Sequence, residues 1–139
     1  MQPIIPYLNF NGNAATALAF YAKALNGTVV FQQTFGESPM PHTADMKDKI
    51  MHATFQAGQL SFMVSDCPPH LSATTGTNIS LSLNFLDEAS IDSTFAAFAD
   101  GATITMELQD TFWGAKFGML TDAFGINWMF NYDKPQKQD

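Results

Sequence analysis

The chain has 139 residues, 46% hydrophobic and only 14% charged, with 6 Lys+Arg and a formal net charge of -7. That length suits one domain over residues 1–139 with a core that needs no disulfide or metal staple, and the acid excess argues against a phosphate-neutralising surface, so no nucleic-acid partner is expected. A single cysteine, Cys67, excludes an internal disulfide; with no signal-peptide pattern in MQPIIPYLNF and no apolar run of ~18 residues, a cytoplasmic protein without a membrane partner is expected.

Residues Ile4 to Phe10 read as a strand, broken by Asn11-Gly12-Asn13, with Asn13 placed as a helix N-cap. Leu18, Tyr21, Ala22 and Leu25 follow at helical spacing, and Asn26-Gly27 supplies a left-handed stop. Thr28 to Phe35 is β-branched and aromatic, a second strand. Gly36 to Lys49, with two prolines and mixed charge, reads as a long surface loop. Ile50 to Gln56 and Gln59 to Ser65 form a hairpin about Ala57-Gly58. The first module is expected over about 1–66, with a linker over about 67–77.

The chain then starts again, in a second module over about 78–132. Asn78 to Phe85 alternates, with Ile79, Leu81, Leu83 and Phe85 on one face. Asp87 is placed to cap a second helix, Leu86 and Ile91 to staple it, and Ile91, Phe95 and Phe98 to form its buried stripe. Gly27 to Gly36 then matches Gly101 to Gly114 in the opening glycine and the closing Thr-Phe-(Trp)-Gly. His52 to Met63 lines up with Met119 to Phe130 about Gly58 and Gly125. Two tandem βαβββ modules are therefore expected, an α+β fold of curved mixed sheets around a cleft, with a frayed tail over 133–139. The low charge fraction leaves apolar surface in search of cover, so a homodimer is expected.

The doubled unit, the Phe20-Tyr21 pair and the Asp-x-Phe-Gly corner of Asp122 to Gly125 resemble the vicinal oxygen chelate superfamily of glyoxalase I, bleomycin-resistance proteins and ring-cleaving dioxygenases. More narrowly, PYLNFNGNAATALAFYAKAL, the hairpin around His52 with SFMVSD, and DTFWGAKFGMLTDAFGINWMFN resemble the PhnB-like branch, often labelled 3-demethylubiquinone-9 3-methyltransferase. Methyl transfer from S-adenosylmethionine would call for a Gly-rich strand-to-helix turn, and the chain has none.

The resemblance implies metal-dependent relatives with one ligand on the first and one on the fourth strand of each module, commonly His, Glu, His and Glu. Here the last-strand position falls on Met129 and the repeat assigns Phe62 to its counterpart, while the first-strand positions fall near Pro6 or Leu8 and near Asn78 or Ser80. Thioethers and amides are poor partners for such ions, so neither a metal nor another cofactor is expected. A small-molecule ligand is expected in a cleft lined by Tyr7, His52, Met63, Trp113, Phe117, Met119, Trp128 and Met129, because Met and aromatic side chains make an adaptable apolar wall. The competing expectation is an enzyme, a lyase, isomerase or dioxygenase, with candidate catalytic residues His52, Asp66 and Glu107, in which a carboxylate holds the histidine as base. A third is sequestration of a cationic toxin, which the acidic balance permits.

Overall fold

A computed structural model of the chain describes residues 1–136. The fold falls into two compact units, residues 1–74 and from Thr75 onward. In the first unit β1 (Tyr7–Phe10), α1 (Ala14–Ala24), β2 (Thr28–Thr34), β3 (Ile50–Ala57) and β4 (Leu60–Asp66) follow in order. In the second, β5 (Leu81–Phe85), α2 (Glu88–Ala99), β6 (Thr103–Asp110), β7 (Ala115–Thr121) and β8 (Asn127–Asp133) repeat that order. Each unit is one open, mixed four-stranded sheet, β1-β4-β3-β2 or β5-β8-β7-β6, whose first pair is parallel and whose others are antiparallel. The expected pair of βαβββ modules is what the chain forms.

Each sheet buries one face under its helix. In the first unit Ala14, Ala17, Leu18 and Tyr21 of α1 are buried, as are Leu8, Phe10, Ala53, Phe55, Phe62 and Val64 of the sheet. Tyr21 meets Phe62 edge-on at 5.5 Å, and Phe62 stacks on Phe55 at 4.7 Å. In the second unit Ile91, Phe95 and Phe98 form the expected stripe; Phe98 lies edge-on to Trp128 at 5.2 Å and Phe95 to Phe130 at 5.0 Å. Such aromatic pairs add about 0.5–1.5 kcal/mol each to the burial of their area.

The helix starts differ from expectation in instructive ways. Asn13 occupies the N-cap position of α1 but makes no side-chain cap bond. The capping oxygen comes from Asp66, whose Oδ1 accepts from Gly12 N and Ala14 N, both at 2.9 Å, while its Oδ2 accepts from Ile50 N at 2.9 Å. At α2 the expected cap is present, with Asp87 Oδ1 accepting from Ser90 N at 2.7 Å. Its expected staple is absent, since Leu86 is 96% exposed. Phe85 takes the helix-side register and stacks on Phe130, so strand alternation turns Leu86 outward. Ile79 also fails to join the core, because β5 begins only at Leu81. The backbone before it is held by Asn127 Nδ2, which donates to Gly76 O and Ile79 O in place of a ladder.

Connections follow the punctuation read in the sequence. Asn26, at φ 52, ends α1, and Gly58 and Gly125, at φ 59 and 90, turn the two hairpins. The long loop after β2 contains a 3₁₀ turn at Ala44–Met46 that buries Met46, and its ends are pinned by Phe35 N to Lys49 O and Gly36 N to Lys47 O. Asp66, placed at the linker's edge by sequence, ends β4 in the core. Asp133 of the expected tail is in β8, Lys134 N donates to Gly114 O, and its ammonium pairs with Asp110; residues 137–139 of that tail lie outside the described residues. Among the described residues no helix is long and apolar enough to cross a membrane.

Candidate functional site

The face of each sheet turned away from its helix is where half-exposed side chains collect. In the first unit Tyr7 pairs with Met63, Met63 with Thr54, and Thr54 with Phe31, so these four side chains form one row across four strands. Asn9 pairs with Ser65, and His52 with Gln33, one alternation further along the same face. Phe31 reaches this face through an irregularity: β2 pairs Val29 with Phe55 but Phe31 with Thr54, leaving Val30 as the extra residue. Phe31 is 51% exposed and Tyr7 42%.

Tyr7 and His52 form the polar centre of that face. The Tyr7 hydroxyl lies 2.9 Å from His52 Nδ1, and the ring centroids are 5.7 Å apart. The Phe31 ring, on the neighbouring strand β2, stands 6.0 Å from the imidazole. With the proton on Nε2 the phenol donates to Nδ1, and Nε2–H is a donor with Thr54 Oγ1 at 3.5 Å. Tyr7, His52 and Met63 therefore share this face. Phe31 and Thr54 were missed: Thr54 was available from alternation with His52, whereas Phe31 depends on a strand irregularity that no local pattern announces.

The expected partnership of His52 with Asp66 is not formed. Asp66 is 1% exposed and both of its oxygens accept backbone amides on the helix side, while His52 turns to the opposite face. Glu107 belongs to the second unit, exposed on β6 in the irregular stretch between the Met106–Met119 and Gln109–Phe117 pairs.

In the second unit Met119, Met129 and Phe117 share the helix-free face, and the Phe117 ring lies 6.0 Å from that of Trp113 in the β6–β7 connection. Trp128 does not belong with them. It is 1% exposed, packs on the helix side, and donates from Nε1 to Asp122 Oδ2 at 2.8 Å. Asp122 Oδ1 accepts from Phe124 N and Ile126 N, so this carboxylate organises the hairpin corner around the indole.

The comparisons with known proteins agree with the fold. Residues 4–130 match the Glyoxalase/Bleomycin resistance protein/Dioxygenase superfamily. The chain belongs to that superfamily. Among solved structures, protein PA1353 from Pseudomonas aeruginosa is 42% identical with a TM-score of 0.87, over 97% of this chain and all (100%) of that one. The PhnB protein from Bacillus cereus, whose name includes 3-demethylubiquinone-9 3-methyltransferase, is 28% identical with a TM-score of 0.78 over 94% of this chain and 99% of that one. Protein YjdN of Escherichia coli K12 is 32% identical over 97% of this chain and 98% of its own length.

The superfamily's metal positions can now be placed in register. Met129 pairs with Met119 and faces away from α2, but Phe62 is core, so its true counterpart is Met63. On the first strands Leu8 is buried under α1, and neither Asn78 nor Ser80 is in β5; the open-face positions are Tyr7 and Asn9 in one unit, Ser82 and Asn84 in the other. These phenol, hydroxyl, amide and thioether groups are neutral donors, a different set from the imidazole and carboxylate ligands that hold a borderline divalent ion in sites of that kind. Among the described residues no group of three or more His, Cys, Asp and Glu converges on a point.

Proposed function

We propose that the helix-free face of the first sheet binds a small planar organic molecule bearing a carbonyl or carboxylate oxygen. The observation that carries this is the Tyr7–His52 hydrogen bond at 2.9 Å, half-exposed beside an outward-facing Phe31. A phenol that fixes the imidazole tautomer leaves one oriented N–H donor, and Tyr7, Phe31 and Met63 offer ring faces and a pliable thioether for a flat ligand. A few placed polar groups amid aromatic surface are what small-molecule sites consist of. The methyltransferase wording borne by the Bacillus cereus relative is not carried over: β1 joins α1 through Asn11-Gly12-Asn13 and β5 joins α2 through Leu86-Asp87, neither a Gly-rich nucleotide turn.

A second reading is favoured by the same bond. With the proton instead on Nδ1, which then donates to the Tyr7 hydroxyl oxygen, Nε2 presents a lone pair and the histidine is arranged as a general base, with Tyr7 rather than Asp66 as its positioning partner. A thermal-shift screen of aromatic carbonyl and carboxylate compounds, followed by titration of Tyr7→Phe and His52→Ala, separates the readings. A binding site loses about tenfold in affinity in each variant, the worth of one hydrogen bond. A catalytic site loses about 10²–10⁴ in turnover of the compound in His52→Ala. Affinities and rates equal to wild type in both variants would overturn both readings.

A further inference from the structure

The second unit carries on its helix-free face a row that the reading above does not use. Met106 pairs with Met119 and Met119 with Met129, so three thioethers stand side by side on three adjacent strands. Directly opposed side chains place their Cβ atoms about 4.5–5.5 Å apart. Three rotatable bonds in each methionine let the outer two sulfurs lean toward the middle one.

The row is built by a break in the ladder. Ile104 pairs with Leu120, so in a regular ladder Thr105 would face Met119; the irregularity between Ile104 and Met106 gives that place to Met106. Bulges of this kind re-aim side chains next to functional sites. None of the three methionines is in the core, which lies on the other face, and Met106 is 36% exposed. A half-exposed strand ordinarily favours β-branched or aromatic residues, so strand preference does not account for three unbranched thioethers in one row. Phe117, two residues from Met119 on the same face and 6.0 Å from the Trp113 ring, adds aromatic surface that favours a cation.

Thioethers are soft donors that select Cu(I) over the harder divalent ions. We propose that Met106, Met119 and Met129 together bind one soft monovalent cation, Cu(I). The chain's net charge of -7 favours the approach of any cation, and the thioether row supplies the choice among them. The proposal involves only the second unit and stands or falls independently of the Tyr7–His52 site.

The test is anaerobic titration of the full chain with Cu(I), buffered by the chromogenic chelator bicinchoninate and followed by NMR of ¹³C-methyl-labelled methionines. Cys67→Ser serves as the parent, because a free thiol would compete. The expected result is one equivalent bound, with the methyl signals of Met106, Met119 and Met129 moving among the 8 methionines and Zn²⁺ leaving them in place. Met119→Leu is expected to weaken binding at least about tenfold. The triple leucine variant is expected to abolish it, while Met40→Leu, in the exposed loop, leaves it unchanged. Leucine matches methionine in volume, so the fold should hold; should the triple variant not fold, Met119→Leu and the methyl spectrum decide. No uptake, uptake unchanged in Met119→Leu, or uptake in the wild type that vanishes in Cys67→Ser would each overturn the proposal.

Discussion

Asp66 shows how a single carboxylate can resemble chemistry in sequence and be architecture in the fold. It stands near a histidine along the chain, which suggests a base and its orienting partner. Its oxygens instead accept amides from residues 54, 52 and 16 positions away, tying the start of α1 and the start of β3 to the end of β4. None of those donors is visible from local sequence, because backbone amides carry no residue signature. Asp122 plays a comparable part at the second hairpin, with two amides on one oxygen and the Trp128 indole on the other. In both cases each oxygen faces a donor, so an amide side chain would set its own N–H₂ against another N–H. Asp66→Asn is therefore expected to cost about 3 kcal/mol or more, close to the cost of Asp66→Ala, since buried donors are left unpaired in both. Urea unfolding of the two variants checks this; an Asn variant within 1 kcal/mol of wild type, roughly one ordinary hydrogen bond, would show that the amides do not depend on the carboxylate.

At the scale of elements, the repeat was legible because the punctuation of each module survives in the sequence: a glycine after each helix, an aromatic-glycine corner, an Asp cap at Asp87. The register was not. Anchoring the two hairpins on Gly58 and Gly125 pairs Phe62 with Met129, yet β3 and β4 close with Ala57 opposite Leu60 whereas β7 and β8 close with Thr121 opposite Asn127. The longer second turn slips the alignment by one residue, and one residue in a strand exchanges the core face for the open face. That slip sent Phe62 to a ligand position it cannot occupy, and the missed face of Trp128 has the same origin. The shared opening glycine also conceals two causes. Gly101 adopts φ 74, which favours glycine, but Gly27 is needed for space: a Cβ there would lie 2.3 Å from Phe55 Cζ and 2.7 Å from Gln56 O. Gly27→Ala is accordingly expected to destabilise the first unit by about 1–3 kcal/mol through displacement of β3. Its measure is the shift in denaturant midpoint, and an unchanged midpoint would mean the helix end moves freely instead.

For the whole molecule, acidity sets how stability responds to pH. Asp87 is held below its ordinary value of 3.8, first by the Ser90 amide and then by the Ser90 hydroxyl. Asp45 is lowered by the Thr43 side chain and its own backbone amide, and Asp110 by its hydrogen bond to Lys134 and that ammonium's charge. Carboxylates with depressed values stabilise the fold fully above 3.8, and the contribution fades as pH falls through their folded values. The ammonium groups act in the opposite direction. Lys116 is raised above 10.5 chiefly by Asp92, with Glu88 adding to it, and Lys134 chiefly by Asp110. Their contribution is complete below 10.5 and fades as pH rises through their folded values. These pairs bracket a broad plateau, and their carboxylates are exposed, so salt screens them. Thermal unfolding across pH should show a fall below pH 3.8 that shrinks selectively in Asp87→Ala, and a second fall above pH 10.5 that shrinks in Lys116→Ala. A profile on which neither variant alters the corresponding limb would mean that other groups govern the response. Because Asp87 caps α2 and Lys116 ties β7 to the same helix, the parts of the two limbs that these variants alter should report on the second unit first. The signal to follow is the buried Trp128 fluorescence, which separates that unit's unfolding from the far-ultraviolet change of the chain as a whole.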